Sequence, residues 1–151
     1  VYGLLQTEEY ARAVLATGMP DDLEGLVAAR MERQRILQRE QPPLAWAILD
    51  EAVLHRPVGG REVMRNQLAR LLDLTSHRWM RIQVLPFVAG EHSSLAGSFN
   101  MLRFDDDPDL IYTEDLISGH MTANPETIRE ASRRYAHVQA AALSVLERPT
   151  T

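Results

Sequence analysis

Apolar positions change their period several times along the chain, and each change marks an element. Tyr10, Ala11, Val14 and Leu15 follow Thr7-Glu8-Glu9 at helical spacing, a capped start with acids in the first turn. Gly18 and Pro20 close that helix. Asp21, with Glu24 three positions on, forms a capping-box pattern, and Leu23, Leu26, Val27, Met31 and Ile36 carry a second, longer helix to about Arg39. Gln41-Pro42-Pro43 breaks the period. Leu44 to Leu49 is then a short, almost wholly apolar run that suits a strand buried on both faces. After Pro57 and Gly59-Gly60, the residues Val63, Met64, Gln67, Leu68, Leu71 and Leu72 trace one face of an amphipathic helix to about Leu74.

Arg81 to Leu85 reads as a second strand, ended by Pro86, and with Leu44 to Leu49 it predicts a βαβ unit of right-handed crossover. Gly90 to Gly97 is a polar loop. Ser98 to Phe104 alternates, Asp105 to Asp109 turns, and Leu110 to Thr113 is another strand; the last three strands are expected as an antiparallel meander. Asn124-Pro125-Glu126 starts a helix predicted to reach Leu146, with Ile128, Ala131, Tyr135, Val138, Ala142 and Val145 along one seam. The expected class is α+β with an α/β-like part: a small mixed sheet of about four strands, two N-terminal helices and a long C-terminal helix.

Size and composition add limits. A chain of 151 residues fits one domain spanning 1–151, and such a chain buries roughly 70% of its unfolded surface. Apolar residues at 45% and charged residues at 25% are globular proportions. Cysteine is absent, which excludes disulfides, thiolate metal sites and cysteine nucleophiles. Neither a membrane span nor a signal peptide is legible, so a cytoplasmic protein is expected. All 16 basic residues are arginine, yet the net charge of −5 argues against a direct grip on nucleic acid.

Candidate chemistry is sparse. The closest pair of histidines, His77 and His92, is 15 residues apart, so no local metal motif exists; no metal and no cofactor are expected. Ser93 and Ser94 lack a nucleophile elbow, Gly59-Gly60-Arg61 matches no phosphate-binding fingerprint, and Asp105, Asp106, Asp107 and Asp109 lack calcium-loop spacing. The arginines at 30, 33, 35 and 39 alternate with Glu32 and Glu40 as a salt-bridged surface does. What remains is positional. Asp50, Glu51, His55 and Arg56 follow the first buried strand and His92 and Ser93 follow the second, where open α/β sheets place ligands, with Phe87, Leu95 and Phe99 as an apolar wall. The plainer alternative is capping and a structural ion pair such as Glu51 with Arg56.

Five segments carry a resemblance: Gly3 to Arg12 (GLLQTEEYAR), Leu49 to Gly60 (LDEAVLHRPVGG), Gln67-Leu68, Gln83 to Pro86 (QVLP) and Gly97 to Phe99 (GSF). Together they resemble the actinobacterial domain of unknown function 5753 over nearly the whole chain. The resemblance implies the sensing or partner-binding half of Xre-type helix-turn-helix regulators, often beside a small companion protein, and implies no catalytic residues. Leu4, Gln6, Thr7, Tyr10, Asp50, Glu51, Arg56, Gly60, Gln67, Pro86, Gly97 and Phe99 are its motif positions here. Leu4 and Tyr10 suit a core and Thr7 a cap, leaving Asp50, Glu51, Arg56 and Gln67 with chemistry to spare.

Three functions follow as expectations. The first is a small-molecule- or partner-sensing domain of a transcriptional regulator, seen without its DNA-binding head, with a site drawn from Asp50, Glu51, His55, Arg56, Gln67, Phe87, His92 and Phe99. The second is a cyclase or isomerase of natural-product biosynthesis, Glu51 and His92 exchanging protons in an apolar pocket. The third is a homodimer built on the seam of the final helix.

Overall fold

The computed structural model describes residues 1–114 and 118–143. Its α+β chain divides into two compact units, Val1–Phe87 together with Leu143, and Val88–Ala142.

The first unit opens with a 3-10 turn, Gly3–Leu5, then α1 (Glu8–Ala16) and α2 (Leu23–Gln34), the latter prolonged by a 3-10 turn at Arg35–Gln38. Thr7 caps α1 as predicted, its hydroxyl accepting from the Tyr10 amide at 3.3 Å. The start of α2 differs by one residue. Asp22, not Asp21, is the cap; its carboxylate takes the Gly25 amide at 2.8 Å, and Glu24 reaches Arg12 of α1 at 2.8 Å. Gly25 suits that cap because a Cβ there would overlap the Asp22 carboxylate.

Strands β1 (Ala45–Asp50) and β2 (Met80–Leu85) pair in parallel, Ala45 opposite Met80 and Asp50 opposite Leu85. Between them run the one-turn α3 (Ala52–His55), unforeseen in the sequence, and α4 (Arg61–Leu74). Leu5, Leu49, Leu71, Leu74, Met80 and Ile82 form the core of this unit. β1 is less enclosed than its apolar run predicts. Leu49 is its buried residue, whereas Trp46 is 51% exposed and donates its indole N–H to Gln83 at 2.7 Å. The Val84 carbonyl accepts the Leu143 amide at 2.8 Å, and the Gln83 amide donates to the Leu143 carbonyl at 2.9 Å, so the returning chain is tied to β2. Gly59, at φ +69°, enters α4 where a Cβ would meet Val63 at 2.9 Å and Ala13 at 3.2 Å.

Residues 1–7 belong to no sheet, and glutamine side chains satisfy their backbone. Gln67 of α4, at 0% exposure, accepts the Thr7 amide at 2.8 Å and donates to the Leu5 carbonyl at 2.8 Å. Gln34 donates to the carbonyls of Gly3 and Gln6 at 2.9 and 2.8 Å. Gln6 donates to the Val1 carbonyl at 2.7 Å and accepts from Arg30 at 3.0 Å. Leu5 and Tyr10 are the buried apolar residues here, while Leu4 is half-buried.

In the second unit β3 (Phe99–Leu102), β4 (Leu110–Glu114) and β5 (Gly119–Thr122) form an antiparallel meander, with Met101 opposite Ile111 and Tyr112 opposite Met121. Among the described residues the strands thus make one sheet of two and one of three, and the third member of the meander is β5, not residues 81–85. Helix α5 (Pro125–Ala141) packs on β4. The Asn124 side chain caps it, accepting from the amides of Glu126 and Thr127 at 2.9 and 3.1 Å. The helix ends before the expected Leu146, because Ala142 turns extended (ψ 151°). Val145 and Leu146 lie outside the described residues. Ala131 and Val138 of the predicted seam are buried, and Ile128 and Tyr135 are half-buried. Among the described residues no helix is long and apolar enough to cross a membrane.

We expect Gln67→Leu to destabilise the protein by about 2–4 kcal/mol, since two backbone groups each lose a partner at about 1–3 kcal/mol. Urea denaturation measures the change, with exposed Gln38→Leu as control. Equal midpoints for the two variants would show that the buried amide carries no such weight.

Candidate functional site

The carboxyl ends of β1 and β2 lie side by side, and the chain leaves β1 directly into α3. Asp50 fixes that exit by accepting the Ala52 amide at 2.7 Å, and the Glu51 amide continues the ladder to the Leu85 carbonyl at 2.9 Å. The Glu51 side chain is thereby set beside the end of β2. One carboxylate oxygen accepts the Phe87 amide at 2.7 Å and the other lies 3.3 Å from His55 Nε2, one helical turn on. The imidazole stacks on the Phe87 ring, centroids 5.8 Å apart and planes at 27°. The His55 side chain is 66% exposed and Phe87 61% exposed, so an imidazole and a phenyl ring face solvent over a carboxylate that holds both strand ends together.

Of the eight predicted site residues, four meet here: Asp50, Glu51, His55 and Phe87. Arg56 is exposed, and the Glu51 carboxylate meets His55 and the Phe87 amide in place of the expected Arg56. Its charge acts on Tyr10, whose phenol pKa burial raises and Arg56 partly lowers again. Gln67 is buried in the N-terminal glutamine cluster, where backbone groups occupy both ends of its amide. His92 and Phe99 belong to the second unit, so the expected Glu51–His92 pair is divided between the two units.

Phe99 lines a different feature, an open cleft of about 310 Å³ within the second unit. Loop residues 93–98, β3, β4 and α5 contribute its walls, with Phe99, Ile111, Ala96 and Ala131 as the apolar part. Ser93 ties the loop to the helix by donating to the Arg134 carbonyl at 3.2 Å. On the rim Glu130 accepts from Arg134 Nε at 2.8 Å and from Arg133 at 2.7–3.1 Å. Those hydrogen bonds, from Arg134 first and Arg133 second, hold the Glu130 carboxyl below the ordinary carboxylate range. No group of three or more potential metal-ligating side chains occurs among the described residues. Sequence reasoning missed the roles of Arg133, Arg134 and Glu130; their signal was the i, i+3 and i, i+4 spacing on a helix already predicted.

The chain belongs to the family described as Domain of unknown function (DUF5753), which matches residues 1–147, as the motifs between Gly3 and Phe99 predict. No curated protein and no solved structure shows a significant match.

The Glu51 carboxylate should protect the Phe87 amide. Glu51→Ala is expected to raise hydrogen exchange at that amide about tenfold, the equivalent of one charge-assisted bond, while amides within α4 keep their rates. Unchanged exchange at Phe87 would remove Glu51 from its place at the strand ends.

Proposed function

We propose that this chain is the ligand- or partner-sensing domain of a transcriptional regulator, and that its recognition surface is the Glu51–His55–Phe87 cluster. The exposed stack of His55 on Phe87 carries the reading. One carboxylate holds the imidazole and the backbone amide of Phe87, and the two rings stack, so they are pre-ordered and a partner gains their apolar and polar contacts at little entropic cost. Rigid aromatic anchors of this kind dominate binding energy where they occur in interfaces. The net charge of −5 supports a role other than gripping DNA directly.

The acid–base alternative is less well supported. Glu51 uses one oxygen on a backbone amide and the other on His55, so a proton on it would disrupt a bond that holds the strand ends. That commitment suits a positioning role in recognition.

Thermal-shift titration with fractionated native extract tests the surface. A fraction that stabilises the wild-type domain, by about 2.7 kcal/mol at a hundredfold excess of ligand over Kd, is expected to leave a His55→Ala/Phe87→Ala variant unshifted. Equal shifts in both proteins place recognition elsewhere, and no shift with any fraction removes the sensing reading. The regulator half is read from the natural gene, where a helix-turn-helix is expected in the same reading frame.

A further inference from the structure

Helix α5 carries a local charge opposite to that of the protein. Residues 129–137 hold Arg129, Arg133 and Arg134 against Glu130 alone, a net +2 (three minus one, histidine neutral) in a chain of net −5. Both Arg133 and Arg134 bond the same carboxylate, but unequally. Arg133 engages Glu130 through Nε and Nη2, whereas Arg134 does so through Nε only, and its terminal N–H groups bond nothing among the described residues. Arg134 also lines the open cleft of about 310 Å³ whose apolar wall is Phe99, Ile111, Ala96 and Ala131. A second cleft, lined by Ser93, Glu130, Arg133, Arg134 and His137, shares three of these residues with the first, so the cationic rim continues past it.

We propose that this cleft binds a small amphipathic carboxylic acid, its apolar body along Phe99, Ile111 and Ala131 and its carboxylate on the unspent guanidinium N–H groups of Arg134. The chemistry is set by what each wall offers. Apolar side chains reward burial of a hydrocarbon or aromatic body, and a guanidinium with both terminal nitrogens available matches a carboxylate in a bidentate fork. Thr113 and Thr127 add hydroxyls to the lining. Glu114, the lining's other carboxylate besides Glu130, repels an anion and limits affinity. The inference stands independently of the Glu51–His55–Phe87 reading, because it uses residues of the second unit only.

The test uses hexanoate as the probe, with acetate and hexanol as matched controls, followed by ¹H–¹⁵N chemical shifts of the full chain. Hexanoate is expected to move amides of residues 93–99, 111–113 and 127–134 and to bind more tightly than either control. Arg134→Gln is expected to weaken it about tenfold, the loss of one charge-assisted contact, and Glu114→Gln to tighten it. Arg134 is exposed at the rim, and unchanged shifts outside the cleft verify that the variant is folded. Acetate binding as well as hexanoate would show that the apolar wall is unused, and hexanol binding as well would show that the guanidinium is unused. Either result, or an unaltered affinity in Arg134→Gln, overturns the proposal. Loss of binding in His55→Ala/Phe87→Ala would instead assign the probe to the strand-end surface.

Discussion

A buried primary amide carries the first unit. Residues 1–7 run as a 3-10 turn and an extended link, conformations that leave backbone donors and acceptors without ladder partners, yet they lie against a hydrophobic core. An unpaired backbone group in such a place is costly. Gln67 resolves this because an amide side chain has a donor and an acceptor side by side, and here they meet the Leu5 carbonyl and the Thr7 amide two residues apart. A leucine of similar size would fill the volume and leave both groups unsatisfied. Gln34 and Gln6 extend the same solution to Gly3, Gln6 and Val1, so Leu5 can enter the core beside Leu71 and Leu74.

The strand-end surface depends on that docking through α4. A two-stranded sheet is marginal alone, and β1–β2 relies on packing against the crossover helix and on the returning Leu143. Because Gln67 sits on the same helix as Leu71 and Leu74, the N-terminal segment and the sheet are held by one element. The parallel register then puts Asp50 opposite Leu85, which brings Glu51 within reach of the Phe87 amide. Side chains distant in sequence therefore meet through backbone pairing.

Local signals were legible and long-range ones were not. The caps at Thr7 and Asn124, and the periodic face from Val63 to Leu72, state their elements directly because the forces act within one helical turn. Asp21 and Asp22 are chemically alike, so the choice of cap was settled by Glu24 turning to Arg12 of another helix. The Leu44–Leu49 run implied two covered faces, but apolar composition does not reveal that the sheet stops at two strands. β5, Gly-His-Met-Thr, lacks the β-branched alternation that marks a strand and exists by pairing with β4. Four of the eight candidate site residues meet at one place because they follow the paired carboxyl ends of β1 and β2; Gln67, a motif position like Asp50 and Glu51, has the opposite task, and spacing cannot distinguish a buried amide from an exposed one.

Each unit fixes a carboxylate in its own way, and the difference decides what chemistry remains at the surface. Glu51 is held by a backbone amide and an imidazole, so what faces solvent is an aromatic pair with modest polarity. Glu130 is held by two guanidiniums, which together offer ten N–H donors by their chemistry, far more than one carboxylate can accept. The surplus on Arg134 is a consequence of that stoichiometry, and Arg134 is a lining residue of a cleft with an apolar wall. A carboxylate shared by two arginines leaves a cationic surface, and an incoming anion can use that excess charge without displacing the Glu130 ion pairs.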